Sequence, residues 1–189
     1  MKSFAFASRA SLWPALLVLL VLLQGCSSMN TVSDGADGKL MLRGHDPVSY
    51  FSANRPVPGS PELKTEYQGV TYRFTSAANR EIFLKNPDKF VPQYGGFCAN
   101  GATYAMKWGG EAENYEIYND RLFIFGGQKS YDYWTMDKAK NVEYADNYWK
   151  NEMKDSSARL QTWKRLVFRV PHYKTSKQLE EEWQAKRKS

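Results

Sequence analysis

The sequence predicts an α+β fold: two antiparallel hairpins packed with short helices in a single compact domain, followed by a basic helical extension. Three observations carry this prediction. Two pairs of aromatic-rich, strand-like segments flank two-residue turns, the pattern of β-hairpins. A stretch with helical spacing of apolar residues follows each pair. The alternating strand–helix order that builds a parallel sheet is absent. The 189 residues are 42% hydrophobic, with 12 Tyr, 10 Phe and 6 Trp, which supplies enough bulk for one core. A mean hydropathy of -0.60 excludes a multi-span membrane protein.

The elements follow in chain order. Lys2 and Arg9 precede an uninterrupted apolar run, Ala15 to Leu23, which spans only about 14 Å as a helix against a hydrocarbon core of about 30 Å. Residues 1–25 therefore read as a secretory signal peptide. The Leu23-Gln24-Gly25-Cys26 ending resembles a bacterial lipobox, which implies cleavage before Cys26 and acylation of that residue with palmitate-type chains. Ser27 in place of aspartate implies outer-membrane sorting. Residues 26–39 are small and polar without periodicity and read as a tether, with the domain proper over 40–154.

Thr65 to Tyr67 and Val70 to Phe74 flank Gln68-Gly69 as the first hairpin. Ser76 can cap a helix that runs to about Asn86, where Pro87 stops it. Tyr94 to Gly101 holds three glycines and no period, the mark of tight turns. Tyr115 to Tyr118 and Arg121 to Phe125 flank Asn119-Asp120 as the second hairpin. Gln128–Lys140 and Val142–Lys154 have helical spacing. Leu160, Trp163 and Val167 share one helical stripe, and Ser176 can cap a last helix to about Lys188. Internal repetition amounts to a loose hairpin-then-helix similarity between residues 65–86 and 115–140.

Charge is uneven. Residues 150–189 carry 11 basic against 5 acidic side chains, while residues 26–149 carry 13 against 15. The 155–189 extension thus suits an anionic membrane surface or an acidic protein partner, and nucleic acid is not expected for an exported chain. With Cys26 acylated, Cys98 is the sole thiol of the mature chain, so no internal disulfide forms.

Gly44-His45-Asp46-Pro47-Val48-Ser49-Tyr50-Phe51, then Tyr67 to Ser76, then Phe83, Pro87, Asp88, Lys89 and Phe90 resemble the YHS domain family over residues 44 to about 90. In exported members the resemblance continues through Tyr94-Gly95-Gly96-Phe97-Cys98-Ala99 to near Trp149. Metal-associated members place cysteines where this chain has Ser49, Thr75 and Asn79. Neutral hydroxyl and amide oxygens are poor donors to Cu(I) or Zn(II), so that metal role is not carried onto these positions. The remaining soft donors are Cys98, His45, His172, Met41 and Met106, and copper at a Cys98-centred site with His45 and Met106 is the metal alternative. Cys98 with His45 is also the one nucleophile–base pair inside the domain. Motifs for hydrolases, P-loop enzymes, dinucleotide binding, zinc proteases and redox dithiols are all missing. The leading expectation is a non-enzymatic lipoprotein of the cell envelope, its domain binding a small ligand or an envelope partner through aromatic residues beside Cys98, Asp46 and Tyr94. The alternative is a periplasmic copper-binding or thiol-reactive protein centred on Cys98.

Overall fold

The computed structural model describes residues 28–188, so the expected leader and Cys26 lie outside the described residues. The α+β class holds. In chain order the elements are β1 Thr31–Val32, β2 Leu40–Met41, α1 Ser49–Ser52, β3 Ser60–Tyr67, β4 Val70–Phe74, α2 Ala77–Lys85, α3 Pro87–Phe90 and α4 Ala99–Thr103. The second half adds β5 Glu111–Tyr118, β6 Arg121–Phe125, α5 Gln128–Thr135, α6 Lys138–Tyr148, α7 Ala158–Val167 and α8 Ser176–Lys186. One sheet has the order β1-β2-β4-β3, and β5 and β6 form a second. Both predicted hairpins are present. Their central turn residues are left-handed, Gln68 and Gly69 at φ 51° and 73°, Asn119 and Asp120 at 50° and 58°. This is the turn geometry whose twist matches that of the flanking strands.

The second hairpin repeats the first at an interval of 51 residues: Ser60 pairs with Phe74 and Glu111 with Phe125, Tyr67 with Val70 and Tyr118 with Arg121. Each also shifts register at the same place, after Ser60 and after Glu111. The interval reaches beyond the strands. Left-handed backbone recurs at Arg43 and Tyr94, Gly44 and Gly95, Asn54 and Ala105. Helices α2 and α5 start at Ala77 and Gln128, and the helices after them are entered through Asn86 (φ −153°, ψ 71°) and Asp137 (φ −155°, ψ 73°). Tyr72, Phe74 and Phe83 centre one hydrophobic core, and their equivalents Phe123, Phe125 and Trp134 centre the other. Residues 40–90 and 91–141 are two copies of one supersecondary unit, although only 6 of these 51 aligned positions are identical. Gly59 and Gly110 are one such pair, each held to glycine by close approach. A Cβ would lie 2.5 Å from the Arg73 carbonyl carbon in the first and 2.4 Å from Gly96 O in the second.

Three expectations need correction. Residues 28–39 are docked on the fold, where a tether was expected. Asn30 donates its backbone N–H to Gly95 O at 2.8 Å and its side-chain amide to Gly96 O and Gly110 O, both at 2.9 Å. Buried Arg73 binds Asp34 at 2.6 Å and Asp37 at 2.5 Å, and Lys64 with Arg73 holds the Asp37 carboxyl below the usual range. Ion pairs between residues far apart in sequence leave no local period to read. Next, the helical stretch from Gln128 breaks at Asp137, whose carboxylate accepts the Lys140 N–H and starts a new helix. The last helix is capped by Thr175, not Ser176, through a capping box with Gln178.

Residues 155–189 form the expected helical extension, and it packs into the second core. Val170 and Leu179 are buried there, Tyr133 Oη donates to Glu180 at 2.8 Å, and His172 stacks on Tyr144 with ring centroids 3.7 Å apart. His172 Nε2 also reaches Thr103 O at 2.9 Å. Burial lowers the His172 pKa below its ordinary 6.5, and Lys140 and Lys174 add to this against the Thr103 carbonyl. Because the unfolded chain then binds the extra proton, this contribution to stability is complete above about pH 6.5 and is lost as the pH falls through the lowered value. Amide exchange over residues 170–186, corrected for intrinsic rates, should accelerate between pH 7 and pH 5. His172→Phe should remove the acceleration.

Candidate functional site

The turn after Gly44 places Asp46 at the centre of the first repeat with no exposed surface. Its Oδ1 accepts the Val48 N–H at 2.9 Å. Its Oδ2 accepts the Thr75 N–H at 2.9 Å, the Thr75 hydroxyl at 2.7 Å and the Asn79 amide at 2.6 Å. Ser49 Oγ donates to Asp46 O at 2.7 Å and accepts the Val57 N–H at 3.1 Å. The loop, the end of β4 and the first turn of α2 are thus tied to one carboxylate. In the second repeat the equivalents of Asp46, Thr75 and Asn79 are Phe97, Gly126 and Ser130, so this polar knot belongs to the first copy only.

The soft donors each have contacts of their own. Cys98 is 1% exposed, its backbone bridging Ile124 and its Sγ 3.8 Å from where a Gly126 Cβ would stand. Among the described residues no base hydrogen-bonds to its thiol. His45 Nδ1 lies 2.9 Å from Leu42 O and Nε2 3.8 Å from Glu113. Met106 is fully buried in the core around Trp134. Helix α4, which Cys98 precedes, spans five residues. Packing accounts for each of these side chains separately.

Tyr94 sits differently. It lines a cleft of about 490 Å³ with Met29, Met41, Tyr72, Val91, Trp149 and Lys154. Its backbone is left-handed (φ 54°), a conformation costly for a bulky residue. Its hydroxyl donates to Asp146 at 2.9 Å, and Arg121 clamps the same carboxylate at 2.6 and 2.9 Å while reaching Gln93. Burial, with Asp146 adding, pushes the Tyr94 pKa well above the ordinary phenol value, so the ring stays neutral. Lys107, which sequence reading passed over, stands nearby. It is 5% exposed, donates to Ser28 O at 3.0 Å and Ser156 O at 2.7 Å, and lies over the Phe97 and Trp149 rings. Burial pulls its pKa down to about 8, which leaves it charged at neutral pH. No local sequence signal marks it, because its partners are backbone carbonyls of Ser28, Lys154 and Ser156, all more than 45 residues away in sequence.

A hairpin–helix unit organised by an Asp-Pro turn and an aromatic core defines a class of small α+β domain. Residues 48–94 match the YHS domain family, so the chain carries a YHS domain, in agreement with the resemblance read from the sequence. No curated protein and no solved structure matches the chain significantly. YHS domains are associated with metal handling, and these residues do not fit that role. The side-chain groups of Ser49, Thr75 and Asn79 are engaged with Asp46 and its surrounding backbone, leaving hard oxygens and an amide where soft thiolates would be needed. Among the described residues no group of three His, Cys, Asp or Glu side chains could hold a metal ion.

Proposed function

We propose that the protein is a lipid-anchored component of the cell envelope, facing the periplasm from the outer membrane, whose YHS-containing body binds a small molecule and carries out no chemistry on it. The observation that supports this most is the cleft at Tyr94. It joins apolar walls from Met29, Met41, Tyr72, Val91 and Trp149 to polar groups from Gln68, Gln93, Lys154 and Asp155, the mixture that a compact ligand with an apolar body and a few polar groups requires. Ser28, two residues after the expected anchor at Cys26, lines the same cleft. No helix among the described residues is long and apolar enough to cross a membrane, so the anchoring rests on the leader and its cysteine. Stable attachment needs more than one acyl chain, which acylation of both the thiol and the amine of Cys26 would supply.

The test uses protein purified in mild detergent from its own envelope. Organic extraction and mass spectrometry should release a small molecule that Val91→Trp, which fills the cleft, does not carry at equal thermal stability. Identical extracts from the two chains would rule out the cleft as the binding site. Intact mass of the same samples should show acylated Cys26.

A further inference from the structure

Helix α7 is inside out. Gln161 is buried and donates its amide to Ala105 O at 2.9 Å, while Thr162 Oγ1 accepts the Lys107 N–H at 3.1 Å. The opposite face holds Leu160, Trp163, Leu166 and Val167, which are 61%, 64%, 51% and 54% exposed, and Phe168 follows at 65%. The four helical side chains fall within an arc of about 120°, the stripe that a globular helix normally buries. Lys164 borders this arc, Arg159 falls inside it between Leu166 and Trp163, Arg165 and Arg169 lie outside it, and residues 158–169 contain no acid. Glu152 pairs with Lys164 and Arg165, Arg169 lies over the Tyr173 ring, and Asp155 stands three residues before the helix.

The position of the chain's first described residue argues for one occupant. Lys107 holds both Ser28 O and Ser156 O, so the chain arrives beside the start of α7. Cys26 lies two residues earlier, within about 7 Å of chain. We propose that the Leu160–Phe168 face of α7 seats in the interfacial layer of an anionic lipid bilayer, the helix lying along the surface next to the acyl anchor. This rests on the lipoprotein reading for its placement and on the inverted helix for its chemistry. Apolar side chains enter the headgroup boundary to a depth of about 5–10 Å, and Arg159 and Lys164 meet lipid phosphates.

Trp163 is its own reporter. The full chain is reconstituted into phosphatidylglycerol–phosphatidylcholine vesicles whose acyl chains carry bromine, a quencher of tryptophan emission. Trp163→Phe should remove roughly half of the quenching or more, and Trp183→Phe should leave it unchanged. Vesicles of phosphatidylcholine alone should quench less. Quenching indifferent to Trp163→Phe overturns the proposal. So does a chain dimer in detergent that Trp163→Glu dissociates while vesicles give no quenching, since the face would then cover a second copy. Intact mass reports acylation separately: an unacylated chain that keeps its Trp163-dependent quenching removes the lipoprotein reading and retains the docking face.

Discussion

Asp46→Ala is expected to lower the stability of the fold by about 2–4 kcal/mol, because buried donors that lose their acceptor cost about 1–3 kcal/mol each. The size follows from what the carboxylate satisfies. The Val48 N–H, the Thr75 N–H, the Thr75 hydroxyl and the Asn79 amide all donate to it, and its residue has no exposed surface. Truncation leaves the buried Val48 N–H facing a void, whereas Thr75 is exposed and Asn79 half-buried, so the cost comes from the donors water does not reach, about 1–3 kcal/mol each. Asp46→Asn keeps one acceptor oxygen but turns an NH2 group toward donors, so it should lose about 2 kcal/mol. Urea unfolding measures both; unchanged slopes with lower midpoints mark a loss of native-state stability. A loss below about 1 kcal/mol for the alanine variant would mean that water replaces the carboxylate and that the knot does not organise the first repeat.

The same knot shows what a sequence discloses and what it conceals. Asp46-Pro47 reads as a turn, and Gln68-Gly69 and Asn119-Asp120 read as hairpin turns, because those residues report their own backbone preferences. The YHS resemblance marks Ser49, Thr75 and Asn79 as positions without thiolates. That all three gather around Asp46 is invisible until the β4–α2 junction folds back on the loop. The 51-residue repeat shows in the sequence only as a loose hairpin-then-helix similarity, since the two units share left-handed positions and register, and few side chains. Arg43 and Tyr94 adopt the same conformation with unrelated chemistry. The second copy replaced the polar knot with Phe97 and Gly126 and sits over its own core, and the family match reaches no further than residue 94. The stripe at Leu160, Trp163 and Val167 was legible as a period; period alone does not say whether a face turns inward or outward.

Lys107→Met should cost about 2–3 kcal/mol, and the loss should be felt in both of the distant segments it joins at once. The ammonium has three protons and three carbonyl neighbours, Ser156 O at 2.7 Å, Ser28 O at 3.0 Å and Lys154 O at 3.5 Å. Methionine matches the length of the stem and keeps the contact with Phe97 and Trp149, so packing is largely preserved while the carbonyls lose their donor. Hydrogen exchange at residues 29–32 and 156–160 should rise together, and thermal unfolding should report the loss of stability. Lys107→Arg should not rescue it, because a flat guanidinium directs its donors in one plane, whereas an ammonium can rotate three around a point. A rise confined to one segment would show that the two are held independently. A joint rise makes Lys107 the residue that sets where the chain emerges relative to helix α7, and therefore whether an anchor at Cys26 and the exposed Trp163 face can reach the same surface.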